Sequence, residues 1–293
     1  MGECRLCPRL CGTDRSRGVG FCGARDKAVV ARASLHKWEE PCVSVGAGAG
    51  TIFFSPCNLR CAFCQNIDIS HNKKGKELSD SELAELMLKL QKIGADNIDL
   101  VTPTPYAENI RSAVALIKDR LFIPVIYNCS GYELSNTVIS LKGTVDIFLT
   151  DIKFKDSEKS GKYLKAPDYY NAAVSSLSAM IETVGKPKFS DDKLISGVIV
   201  RHLVMPGCYR DSLEILNDLK ERFGTESFIL SLMSQYIPCG DLSDFPEIDR
   251  RVTSFEYKKV TDRAADLGFR GYTQQRDSAD TDYIPDFSDG GVL

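Results

Sequence analysis

The sequence predicts an α/β protein, an incomplete and open (β/α)6-type barrel beneath a small cysteine-rich N-terminal cap. Three observations carry this. From residue 51 onward, six short apolar runs alternate with helical patterns. Most of these runs lack polar alternation, the mark of parallel strands buried on both faces. Residues 1–50, by contrast, show little periodicity and are dense in Cys, Arg and Gly. Alternating strands and helices specify right-handed βαβ units, and six of them fit an open barrel at least as well as an open doubly wound sheet. The 293 residues divide accordingly into a cap (1–50) and a barrel domain with a C-terminal extension (51–293).

In chain order, the expected strands are residues 51–54 (TIFF), 98–101 (IDLV), 123–127 (IPVIY), 145–149 (VDIFL), 197–204 (GVIVRHLV) and 228–232 (FILSL). Ser79 and Glu82 make a capping box ahead of Leu83, Leu86, Met87 and Leu90, which fall on one helical face. Further helices are expected over 107–118, 169–184, 213–223 and 254–267, the last stopped by Gly268. The tail 283–293, with Pro, Asp and Gly, is expected to lie extended on the surface. The cap is too small to bury a core of its own and is expected to need a metal staple.

Hydrophobic residues at 43% and charged residues at 26% exclude wholesale disorder. A net charge of −3 gives no broad attraction for nucleic acid or an anionic membrane, so neither is expected as a partner. No run approaches the length of about 18 apolar residues that a transmembrane span needs. The first residues, MGECRLCPRLCGTDR, are charged where a secretory signal would be apolar. A cytoplasmic protein is expected. Eleven cysteines, an odd number, then argue against a disulfide framework in a reducing compartment. Two local clusters among them point to metal instead.

The sharper cluster is Cys57-Asn58-Leu59-Arg60-Cys61-Ala62-Phe63-Cys64, a C-x3-C-x2-C triplet directly after the first strand of the barrel. Three thiolates on one loop can share an iron–sulfur cube, which ordinarily takes four cysteine ligands. The missing ligand leaves one iron open, and an open coordination position is where a metal centre acquires chemistry. Tetrahedral zinc is the plainer alternative, but no second Cys or His pair lies nearby. The other cluster, Cys4-x2-Cys7-x3-Cys11-x10-Cys22, offers four thiolates within 19 residues. It suits either zinc or a second, closed [4Fe–4S] cluster.

At the central triplet, including Phe63 just before its third cysteine, the sequence resembles the radical S-adenosylmethionine superfamily. More narrowly it resembles the pyruvate formate-lyase activating enzymes, particularly an uncharacterised branch with an N-terminal cysteine cap. Matching segments continue along the chain: Val101-Thr102-Pro103-Thr104, Tyr127-Asn128-Cys129-Ser130-Gly131-Tyr132, Thr150-Asp151-Ile152-Lys153, Val200 to Gly207, and Gln235-Tyr236-Ile237-Pro238. The resemblance implies a partial barrel of the radical SAM kind. It also implies a [4Fe–4S] cluster on Cys57, Cys61 and Cys64, S-adenosylmethionine on its open iron, and a 5′-deoxyadenosyl radical that abstracts hydrogen. An electron donor of flavodoxin or ferredoxin type is implied as a partner, and a protein substrate too if the chain is a glycyl-radical activase.

Each later segment falls at the end of an expected strand, so all can face one pocket. Phe63 is expected beside the cofactor. Thr102 and Thr104 stand where the resembled enzymes usually have Gly-Gly-Glu, and the Glu is missing here. Asn128 and Ser130 are candidates for methionyl or ribose groups, although relatives often carry an acid at the position of Asn128. Asp151 and Lys153 share a face by strand period and are candidates for ribose and carboxylate. Arg201, inside an apolar strand, needs a buried anion, and the cofactor carboxylate is the expected one. His202 is expected to be packed, and Gln235 and Tyr236 to line the substrate side. A non-enzymatic iron–sulfur or zinc protein for electron transfer or binding is the alternative. It accounts for the cysteine clusters but not for the three-ligand count.

Overall fold

The structure is a computed structural model that describes residues 3–274, 287 and 289–293. Among the described residues ten strands form one sheet: β1 (Ala28–His36), β2 (Ala49–Phe54), β3 (Lys76–Leu78), β4 (Ile98–Val101), β5 (Val125–Cys129), β6 (Ile147–Asp151), β7 (Lys188–Ser190), β8 (Lys193–Leu203), β9 (Ile229–Met233) and β10 (Gly271–Thr273). The spatial order is β10-β9-β8-β6-β5-β4-β2-β1-β3, with β7 paired to β8 off this path. Pairings from β2 through to β10 are all parallel, while β1 and β3 add antiparallel at one end. The two end strands do not meet. The barrel is open, and its six expected strands are β2, β4, β5, β6, β8 and β9.

Between the strands run α1 (Ile67–Ser70), α2 (Asp80–Lys92), α3 (Ala107–Ile117), α4 (Ser135–Ser140), α5 (Ser157–Leu164), α6 (Tyr169–Val184), α7 (Tyr209–Phe223) and α8 (Ser254–Asp266). The capping box forms at α2: Ser79 Oγ accepts from Glu82 N, and Ser79 N donates to Glu82 Oε2 at 2.8 Å. Leu83, Leu86, Met87 and Leu90 are the buried face it introduces.

Strand period sorts the sheet into two faces. Ile52, Phe54, Leu100, Tyr127, Phe148, Val198 and Val200 belong to the large core under the helices. Ala49, Ile126, Ile147, Leu149, Ile199 and Ile229 form a second, inward core with Cys42, Val43 and Leu194. Cys42 and Val43 come from the β1–β2 loop, which therefore enters the barrel. Residues two positions further along their strands share the inward face: Thr51, Asn128, Asp151 and Arg201, with Asp99 in register opposite Thr51.

Two expectations change. The sheet takes in β1, so its margin lies near residue 28 rather than 51. The chain end is also more than a surface strand: Ala33 N donates to Gly290 O at 3.0 Å, and Val292 N to Ala33 O at 2.7 Å. A Cβ at Gly291 would stand 2.1 Å from Ala33 O, so only glycine fits this approach. Residues 283–286 and 288 of the expected tail lie outside the described residues.

Candidate active site

The cysteine loop leaves the C-terminal end of β2 and is tied down on every side. Ser55 Oγ donates to Ile69 O at 2.6 Å, and Cys57 N to Ser70 O at 3.0 Å. Asn58 Nδ2 donates to Tyr132 O at 2.8 Å, and Ala62 N to Tyr163 O at 2.8 Å. Arg60 folds back on its own loop, its Nη1 reaching Cys57 O at 2.8 Å and Leu59 O at 2.9 Å. These bonds fix where the three thiols point.

Those thiols form a donor set that fits an iron–sulfur cluster. Burial pushes Cys57 up to about 12 and pushes Cys64 up as well. Burial also raises Cys61, against the pull of Lys153, and the neighbouring Cys64 and Cys57 add to the rise. Each of the three thus lies within electrostatic range of another. Protons occupy such thiols until a cationic core displaces them. Amide and hydroxyl groups already address the sulfurs, with Leu59 N 3.4 Å from Cys57 Sγ and Ser70 Oγ 3.2 Å from Cys64 Sγ. Cys239, scattered in sequence, comes close too: its Sγ bonds Phe63 O at 3.4 Å and feels the charge of Cys64.

The later segments do converge at this end of the barrel. Lys153 Nζ and Asp151 Oδ2 are 2.5 Å apart and mostly buried. Burial works to lower the Lys153 ammonium, but Asp151 and then Cys61 hold it above its usual range. The Tyr169 hydroxyl sits among the ends of β5 and β6, at 2.7 Å from Ser130 O, 3.0 Å from Asp151 O and 3.1 Å from Lys153 N. Gly131 permits this closeness, since a Cβ there would stand 2.2 Å from Asp151 O. The Ser130 hydroxyl is buried with no hydrogen-bond partner among the described residues. An orphaned buried hydroxyl beside the Asp151–Lys153 pair is what a polar cofactor would satisfy. Thr102, at a φ of 61°, donates its amide to Asn128 O at 3.0 Å.

Several expected roles take a different form. Thr104 Oγ1 donates to Glu133 Oε1 at 2.5 Å, so its hydroxyl is turned to an acid that sequence reasoning passed over. Glu133 also accepts from Tyr127 Oη at 3.3 Å, and burial pushes its carboxyl up to about 8. Phe63 is buried in an aromatic cluster with Phe154 and Tyr236, at centroid distances of 6.2 and 6.0 Å. Tyr236 is itself buried, with its hydroxyl on Ile248 O at 2.8 Å, rather than lining a substrate space. Arg201 finds its anion inside the chain: Nε and Nη2 reach the two carboxylate oxygens of Glu40 at 2.7 and 2.6 Å, and Nη2 also meets Glu39. The cofactor carboxylate is therefore not needed to neutralise it. His202 is packed, with Nδ1 at 2.6 Å from Ile152 O and Nε2 at 2.8 Å from Ser212 Oγ.

In the cap, Cys4 lies within electrostatic range of Cys11, and Cys7 of Cys22. Arginines also hold the segment. Arg9 stacks 3.9 Å above the Phe21 ring and donates to Asn58 O at 3.1 Å and Lys165 O at 2.6 Å. Arg15 donates to Pro105 O at 2.5 Å, and Arg60 to Phe21 O at 2.9 Å. These charge-assisted bonds tie the cap to the barrel.

Residues 51–233 match the family model of the radical SAM superfamily. Over 271 residues the chain is 29% identical to an uncharacterized protein of Methanocaldococcus jannaschii, covering 89% of this chain and 74% of that one. It is 27% identical over 183 residues to the pyruvate formate-lyase-activating enzyme of Clostridium pasteurianum, covering 54% of this chain and 71% of that enzyme. Among solved structures, HydG, a maturase of the [FeFe]-hydrogenase, superposes with a TM-score of 0.52 at 16% identity over 76% of this chain. The match spans 50% of the HydG chain, and the likeness is one of fold.

Proposed function

The chain belongs to the radical SAM superfamily, and from that membership we propose that Cys57, Cys61 and Cys64 hold a [4Fe–4S] cluster whose open iron takes S-adenosylmethionine. The observation that carries this reading is the placement of three partly buried thiols on one loop at the C-terminal end of β2, the face where such barrels carry their chemistry. When bound, the pair of cofactors supplies a 5′-deoxyadenosyl radical, made by one-electron cleavage of a sulfur–carbon bond, that abstracts hydrogen from the substrate.

The residues of the chain bind and orient. Lys153 offers its ammonium to the methionyl carboxylate, with Asp151 holding it in place. The unpartnered Ser130 hydroxyl takes a polar group of the cofactor, with Asn128 alongside. Tyr169 positions these groups by fixing the ends of β5 and β6. The loop bonds to Tyr132, Tyr163 and Ser70 keep the thiols aimed while the helices and cap exclude water.

Within this class, activation of a glycyl-radical partner protein is the finer reading, supported by the likeness to the Clostridium activating enzyme. A flavodoxin- or ferredoxin-type protein is the proposed electron donor. Coupling between an isotope-labelled methionyl nitrogen and the reduced cluster, read by electron–nuclear double resonance, tests the open iron. Its absence from a fully loaded cluster would remove the assignment.

A further inference from the structure

The inward face of the sheet carries a buried charge set that the proposed cofactor contacts do not use. Glu39 and Glu40 enter on the β1–β2 loop and pair with Arg201 of β8. Asp99 of β4 is fully buried, and its electrostatic neighbours are Glu39, Arg201 and Glu40. Three carboxyl groups thus share one guanidinium, while nearby Asp151 is occupied by Lys153. Burial, reinforced by Glu39, holds the Asp99 carboxyl well above its ordinary range.

A second observation is independent of charge. Asp99 Oδ1 and Thr51 Oγ1 are buried with no hydrogen-bond partner among the described residues, and both residues are 0% exposed. Thr51 and Asp99 stand in register on β2 and β4, parallel neighbours about 4.8 Å apart. One donor atom between them can therefore serve both. The other Asp99 oxygen, Oδ2, already accepts from Asn128 Nδ2 at 3.4 Å. Level with this pair on β5 and β6 stand Ile126 and Ile147, so the remaining wall is apolar.

We propose that this interior position receives a primary ammonium group of the substrate, held between Asp99 Oδ1 and Thr51 Oγ1. The proposal rests on the radical reading above and names the substrate class for the same site. An ammonium brings three donors and no acceptor, which matches two open acceptors. Its charge offsets the carboxylate that Arg201 leaves unbalanced in the Glu39–Glu40 pair and lets Asp99 give up the proton that burial keeps on it, which a neutral hydroxyl or a water cannot do. A carboxylate or phosphate would meet Glu39, Glu40 and Asp99 and be repelled. The dry, apolar wall strengthens whatever charge pair forms there.

The test titrates n-butylammonium chloride into the anaerobically reconstituted enzyme by calorimetry, beside n-butanol and sodium butyrate. Wild type, Asp99→Asn and Thr51→Val are compared. The ammonium is expected to bind wild type roughly tenfold or more above the alcohol, and butyrate not at all. Asp99→Asn should lose that preference and Thr51→Val should weaken binding several-fold. If one variant folds poorly by circular dichroism, the other carries the comparison. Equal affinity for amine and alcohol, or amine affinity unmoved in the folded variants, overturns the proposal. Release of 5′-deoxyadenosine by wild type under reductant alone separates the two claims. Cofactor cleavage without amine preference defeats only the ammonium site, whereas amine preference without cofactor cleavage defeats the radical reading.

Discussion

Arg201 on β8 grips Glu40, 161 residues earlier in the chain, through two hydrogen bonds of 2.7 and 2.6 Å, with Glu39 beside it. The pair joins the loop that enters the barrel to the far side of the sheet. Burial would lower the guanidinium, but Glu39 and Glu40 hold it well above its usual range, and Arg201 in turn keeps Glu40 ionised despite burial.

Removing Arg201 should therefore cost stability first. Arg201→Gln strands two buried carboxylates and is expected to lower unfolding free energy by about 3–5 kcal/mol. Adding Glu40→Gln should recover much of that. Chemical denaturation of the single and double variants measures both. A stable Arg201→Gln enzyme that fails to bind S-adenosylmethionine would return Arg201 to direct cofactor contact.

Lys153 behaves differently, because its partner Asp151 sits at the strand end beside the thiols. Lys153→Met is expected to weaken S-adenosylmethionine binding by about 1.5–3 kcal/mol, the range for hydrogen bonds to charged groups. Iron and sulfide content should stay at the wild-type level. Equilibrium dialysis with labelled cofactor gives the affinity, and unchanged binding would leave Lys153 as a purely structural partner of Asp151.

Glu133 supplies a pH dependence whose direction is fixed. Burial raises its carboxyl to about 8 in the folded chain, so the folded state holds a proton that the unfolded state releases near the usual carboxylate value. Its contribution to stability is full at low pH and declines as pH rises, until the loss is complete above about 8. Glu133→Gln, which still accepts from Thr104, should remove that decline. Melting of wild type and variant at acid and at mildly alkaline pH is expected to converge at the former. At the latter the variant should be more stable, by on the order of a few kcal/mol. Parallel melting curves across the range would show that Glu133 does not titrate in this window.

The four cap cysteines are proposed to hold a metal of their own beside the arginine bonds that tie the cap to the barrel. A Cys57/Cys61/Cys64 triple-Ala variant is expected to retain about one zinc or about four irons per chain. Replacing Cys4 and Cys7 should remove that metal and expose the N-terminus to protease. A metal-free triple variant with a protected N-terminus would show that the arginine bonds alone order the cap.

The periodic parts of the fold were legible in advance. The strand Ile98–Val101 and the helix Tyr169–Val184 have the bounds their patterns predict, because a buried run and an amphipathic helix are local signals. β1 was hidden because its Ala, Arg, Ser and His interrupt any clean alternation, and its burial depends on pairing with β2. The cysteine triplet could be read because its spacing is itself the ligand pattern. Arg201 announced that it needed an anion, but a strand cannot say whether that anion is a ligand or a glutamate on a distant loop. Thr104 and Glu133 are likewise joined only by the turn after β5. Thr51 and Asp99 become neighbours only once β2 and β4 are in register.

The most direct measurement of the central claim is 5′-deoxyadenosine production. Wild-type enzyme and the Cys57/Cys61/Cys64 triple-Ala variant would be reconstituted anaerobically, given S-adenosylmethionine and a strong one-electron reductant, and assayed by chromatography. Wild type with a full cluster is expected to accumulate 5′-deoxyadenosine, while the variant, lacking that cluster, produces none. A fully loaded wild-type enzyme that leaves S-adenosylmethionine intact would contradict the account.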